Sequence, residues 1–169
     1  MSIYPLKTIL STIANAKGEK RLIFNLGPIG GLNSASIVLL LLSLPFIEFA
    51  AVFNPFIFNK LGIATCIVIY VVFLSIVMML VVLTIWLVKK SVVKKITPSW
   101  KNYFSEVDLN MVVSSGITPY SDFFKFYKKG LIHDLSEEQL HEYMLDSFKT
   151  MQDENKELLS AMKKDNKIH

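Results

Sequence analysis

Glu48 is the only ionisable residue well inside either of two long apolar runs, Ala35–Phe53 and Gly62–Val88. A carboxylate in apolar surroundings is costly. It reads as a candidate for proton or cation handling, or for binding a basic group on a partner. Pro45 lies three residues earlier and removes an intrahelical hydrogen bond, so freed backbone and carboxylate fall near one face of a bent helix. Glu48 is about five residues, or roughly 8 Å, from the end of its run. The plainer roles are therefore a structural or inter-subunit polar contact, or a position close enough to the interface to reach water. Pro45 and Glu48 together form the candidate intramembrane polar contact.

Other reactive residue types are sparse. Ser91 and Lys94 have the Ser-x-x-Lys spacing of some acylases, but no companion motif accompanies them and the string falls in a lysine-rich segment. His133, His141 and His169 have no ligand-like spacing, and a surface ion pair with Glu137 or Glu138 accounts for His141. Cys66 is the sole cysteine, which removes an intramolecular disulfide or a thiol-built metal site. The chain has no phosphate-cradling glycine loop, nucleophile elbow or dinucleotide fingerprint. Enzymatic activity, a cofactor and a metal are not expected.

The elements that carry these residues are clearer than any chemistry. Each apolar run exceeds the roughly 18 residues needed to cross a bilayer. With only Asn54–Leu61 between them, they read as a transmembrane helical hairpin with spans at about 33–53 and 62–88. The second run would extend about 40 Å against a hydrocarbon core of about 30 Å. It is expected to project beyond the membrane until Thr97-Pro98 stops it.

Nine basic and two acidic residues precede Ile96, whereas nine basic and twelve acidic follow. The basic excess brackets the spans: Lys7, Lys17, Lys20 and Arg21 before, Lys89, Lys90, Lys94, Lys95 and Lys101 after, with only Lys60 between. This pattern places both termini in the cytoplasm and indicates attraction to anionic lipid, not nucleic-acid binding. The first run reads as a retained signal anchor. Composition points to a bacterial inner membrane.

Residues 1–31 form an N-terminal segment. Leu6, Ile9, Leu10 and Ile13 make one apolar stripe on a short helix with Pro5 in its first turn, expected to lie on the membrane surface or against a partner. Residues 32–95 hold the hairpin. Residues 96–169 are expected to form a cytoplasmic three-helix domain. Two of its helices open at Thr-Pro pairs and carry aromatic stripes: Trp100, Tyr103 and Phe104, then Tyr120, Phe123, Phe124 and Tyr127. Three short helices offer little interior for so many rings, so part of this set is expected to face a partner.

The third helix is expected over Glu137–Lys164, with Ser136 and Gln139 as a capping box. Met144, Phe148, Met151, Leu158 and Met162, with Asn155 as a polar position, follow a heptad seam suited to packing or self-association.

These readings describe an all-α membrane protein: an amphipathic N-terminal helix, a two-helix transmembrane hairpin and a cytoplasmic three-helix domain. The expected role is a non-enzymatic accessory, assembly or stability factor (a chaperone or subunit) docking on a larger inner-membrane complex of motor-stator, secretion or transport type. Its partners would be that complex, membrane lipids and, through the seam, further copies of itself. One alternative is a homo-oligomeric ion conduit built on Glu48. Another is a membrane-anchored regulator acting through its C-terminal helix.

Overall fold

A computed structural model describes residues 4–165, and within them the regular structure is helical. The helices are α1 (Leu6–Ile13), α2 (Ser34–Val52), α3 (Pro55–Leu61), α4 (Ile63–Tyr103), α5 (Leu109–Val113), α6 (Phe123–Ile132), α7 (Glu137–Glu154) and α8 (Lys156–Asp165), with a 3₁₀ turn at Gly27–Ile29. Both α2 and α4 are long and apolar enough to cross a membrane.

The two long helices pack side by side. Along α2, Ser34, Val38, Leu41, Pro45, Glu48 and Val52 recur at alternating steps of four and three, which keeps them on one face. Val38 packs with Val77 and Val81 of α4, flanked by Leu41, Leu44, Phe73 and Ile85. At the far end the Cys66 thiol donates to the Val52 carbonyl (3.6 Å), and the Tyr70 ring meets Phe49 and Phe53 edge-on. The linker is not a simple turn. The Asn54 side chain accepts from the Phe56 N–H, Pro55 occupies the first turn of α3, and Gly62 (φ 76°) reverses the chain into α4. Away from the seam, α2 and α4 expose an apolar belt that includes Leu39, Phe46, Ile47, Ile67, Val72, Met79 and Leu83.

The 41-residue α4, about 60 Å long, does not stop at Thr97-Pro98. Proline in a helix interior costs about 3 kcal/mol, but the turn beyond it carries Trp100 and leads into Phe104, both in the core. The Trp100 indole N–H donates to the Val107 carbonyl (2.8 Å). Burying two large rings outweighs one missing backbone bond. The first helix expected in the C-terminal domain is thus the end of α4.

A second core surrounds this end of α4. Val88, Val92, Ile96, Trp100 and Phe104 meet Leu6, Ile9, Leu10 and Ile13 of α1, together with Leu109, Val112, Phe123, Tyr127, Leu140, Met144, Phe148 and Met151. This corrects the expectation of a surface-lying N-terminal helix: protein covers the whole α1 stripe. The Arg21 guanidinium, through Nε–H, donates to the Ser11 and Ala14 carbonyls at the end of α1. Gly18 (φ 76°) sits so near α6 that a Cβ there would lie 2.7 Å from Lys128 Cα. Residues 4–31 therefore belong to the same head as the C-terminal residues.

The capping box forms: Ser136 accepts from the Gln139 N–H, and the Gln139 side chain accepts from the Ser136 N–H. The expected single helix from Glu137 is broken at Asn155. The Asn155 amide donates to the Met151 carbonyl at the end of α7 and to the Pro119 carbonyl ahead of α6, instead of occupying a coiled-coil core.

Candidate functional site

Glu48 belongs to the α2–α4 seam by register, and its Oε2 is enclosed without a hydrogen-bonding partner. Pro45 is buried on the same face. The two share the face of α2 that carries the seam, and Glu48 as a residue is half-exposed.

The aromatic candidates converge in the interior. Trp100, Phe104, Tyr120, Phe123 and Tyr127 are buried, and Tyr103 and Phe124 are half-buried. Trp100 lies 4.6 Å from Phe104 and 6.1 Å from Phe148, ring centre to ring centre. The first five cannot serve as the contact surface of the folded chain, because five helices share a larger interior than three would. Likewise Met144, Phe148 and Met151 are core residues, while Leu158 and Met162 are half-buried on α8. A self-association seam running through all of them is not available. His169 lies outside the described residues.

Polar groups inside the head hold helices together. The Glu137 carboxylate accepts from the Leu6 N–H at the start of α1 (2.6 Å) and from the Tyr103 hydroxyl (3.2 Å). Burial, and then the nearby Glu137 charge, push the Tyr103 phenol above its ordinary pKa. His141 is corrected from a surface ion pair: its Nε2–H donates to the Tyr103 carbonyl (2.9 Å) at the end of α4, against the Tyr103 and Phe104 rings. Among the described residues no cluster of three or more His, Cys, Asp or Glu could hold a metal.

A different cluster lies where the apolar belt gives way to the head. Trp86, Lys89, Lys90, Val93 and Lys94 of α4, with Asn110 of α5, line an open recess of about 470 Å³. Lys90 Nζ stands 5.0 Å from the centre of the Trp86 ring, a cation–π distance. The ion pairs among the described residues join Lys125 to Asp122, Lys128 to Glu19 and Lys156 to Asp153. None involves the three recess lysines. Nearby, the Asp108 carboxylate is engaged by the backbone and side-chain N–H groups of Asn110.

Lys20 adds further positive charge. Its ammonium donates to the Ser114 carbonyl, and burial, then the charge of Lys89, push its pKa down. Leu22 is 96% exposed, next to Ile23, which packs beside the Val77–Val81 cluster. In the sequence these lysines read as topology signals and as a general attraction to anionic lipid, without a defined site, and Trp86 carries no signal of its own. The pattern that marks them is a tryptophan followed at i+3, i+4 and i+8 by lysine, which shares one helix face.

Fold and site thus define an all-helical protein with two helices long and apolar enough to cross a membrane and a basic recess at their junction with a helical head. No family model, curated protein or solved structure matches the chain.

Proposed function

We propose that this chain is an integral membrane protein of the bacterial inner membrane, and that it acts as a non-enzymatic accessory, assembly or stability factor on a larger membrane protein complex. In this reading α2 and α4 span the bilayer as a hairpin. Both termini and the head lie in the cytoplasm, because the basic residues crowd the head end of the belt and only Lys60 lies at the other. The carrying observation is the continuity of α4, whose one buried face is covered first by α2 and then by the head core. A head fixed to its spans presents fixed surfaces to a neighbour. Since the head's aromatics and its Glu137 and His141 bond within the chain, docking falls to the belt and to the exposed outer face of α7, which carries Glu138, Glu142, Leu145, Asp146 and Asp153.

The test is purification of the tagged full-length chain from its own host in mild detergent, with the mass of the intact particle. A larger integral membrane protein at fixed stoichiometry supports the reading. A particle containing this chain alone removes it. A homo-oligomer would turn attention to conduction through Glu48. Glu48→Gln with function intact would eliminate the conduit.

A further inference from the structure

We propose that the recess formed by Trp86, Lys89, Lys90, Val93, Lys94 and Asn110 is a binding site for the phosphate headgroup of an anionic phospholipid. The inference rests on the membrane reading above and adds a defined ligand site to it. Three features of the recess coincide. The first is chemical. Three ammonium groups without carboxylate partners among the described residues share one face of α4. A phosphate diester supplies a negative charge that the three ammonium groups can share, and Asn110, one of whose amide N–H groups is held by Asp108, has a second to donate.

The second feature is depth. Large exposed apolar side chains continue along α4 up to Trp86 and Leu87, and the lysines begin at the next turn. Tryptophan is the residue of the membrane–water interface, so the lysines fall at headgroup level while acyl chains lie along Leu83 and Trp86. The third is shape. Asn110 of α5 rises beside α4, so the lysines border a recess and not a bare helix surface. Lys20, whose pKa the charge of Lys89 helps push down, adds to the positive potential around it. Charge complementarity and position at the end of an apolar belt select a lipid over a soluble phosphate, which would gain nothing from Trp86 and the belt below it.

The full-length protein is placed in nanodiscs of phosphatidylcholine doped with brominated phosphatidylglycerol or brominated phosphatidylcholine, and tryptophan quenching is recorded. Trp100 is fully buried in the head, and a Trp86→Phe variant isolates its signal. Brominated phosphatidylglycerol is expected to quench Trp86 at a mole fraction at least tenfold below that required of brominated phosphatidylcholine. Neutralising each lysine is expected to weaken the preference about fivefold, so Lys89→Gln/Lys90→Gln/Lys94→Gln abolishes it. The corresponding triple arginine variant, which keeps the charge, retains it. A Lys125→Gln/Lys129→Gln control on α6 also retains it.

Equal quenching by the two lipids, or unchanged selectivity in the triple glutamine variant, overturns the site while the membrane reading stands. Displacement by soluble glycerophosphate at the concentration that saturates with lipid overturns the choice of a lipid ligand. Failure of the chain to enter nanodiscs overturns the membrane reading, and this site with it.

Discussion

The two packed regions share one helix and are built on different terms. Along the belt, the α4 side chains enclosed against α2 are Cys66, Val77 and Val81, with Tyr70, Phe73 and Ile85 only partly covered, and few residues are enclosed. In the head, the same helix offers Val88, Val92, Ile96 and Trp100 to a core in which Phe104, Phe123 and Phe148 crowd around the indole. In water, apolar surface is removed wherever possible, at about 25 cal/mol per Å². Between helices in lipid that drive is absent, and close approach of small residues suffices. On the proposed membrane reading, a sparse seam and a dense core on one helix follow from a change of solvent near Leu87. The difference also separates what mutations in each region should do.

The largest effect should follow Trp100→Ala. Removing this ring from a fully buried site costs about 3–5 kcal/mol, and the head should lose its near-UV signal and protease resistance. The α2–α4 pair should remain helical in micelles. Val77→Ala, in the seam, should cost less and leave the head's unfolding midpoint in place. Equal loss of the head in both variants would show that belt and head unfold as one unit, and the comparison would fail.

Next in size is Ile9→Ala, expected to cost about 2–4 kcal/mol because Ile9 has no exposure in the head core. The measurement is urea unfolding of the detergent-solubilised full chain, with no bilayer present. A helix resting on a membrane surface would show no loss there, so an unchanged midpoint would return α1 to the interface.

Glu137 ranks below this. Glu137→Ala leaves the Leu6 N–H and Tyr103 hydroxyl without their acceptor, at about 1–3 kcal/mol. Glu137→Gln keeps an acceptor oxygen and should recover most of the loss. If alanine and glutamine variants were equally stable, the carboxylate would not be joining α1, α4 and α7.

How much of this was legible in sequence depended on the range of the physics. The two long apolar helices, the capping box and the α1 stripe follow from composition and periodicity within one helix, and each is present, although the second long helix runs on to Tyr103. What covers a stripe is not local information. Leu6, Ile9, Leu10 and Ile13 look the same whether lipid or Trp100 lies opposite. Pro98 was read as a stop because its local cost is plain, whereas the compensating burial of Trp100 and Phe104 comes from residues as distant as Phe148. Asn155 fitted a heptad place by spacing, but the Pro119 carbonyl that its amide meets lies 36 residues away. Lys89, Lys90 and Lys94 were visible as charge, and their recess became visible only when α5 brought Asn110 beside them.

The smallest expected effect concerns pH and the clasp between the N-terminal segment and α6. The Asn15 side chain donates to Glu19, and the Lys128 ammonium lies 3.3 Å from the same carboxylate. The Asn15 hydrogen bond first, then that of Lys128 and its charge, hold the Glu19 pKa below the ordinary 4.5. A carboxylate whose pKa is depressed by folding stabilises the fold above its unfolded pKa. That contribution disappears as pH falls through the folded value. Because Glu19 is exposed, solvent screens it and the slope should be shallow. Glu19→Gln should be slightly less stable than the parent at pH 7, and the gap should close on acidification below about pH 4. Gly18→Ala should cost more at every pH, since it strains a positive φ and presses on the Lys128 backbone. A Glu19→Gln deficit that persisted unchanged in acid would mean that the clasp is held by shape at Gly18 and draws nothing from charge.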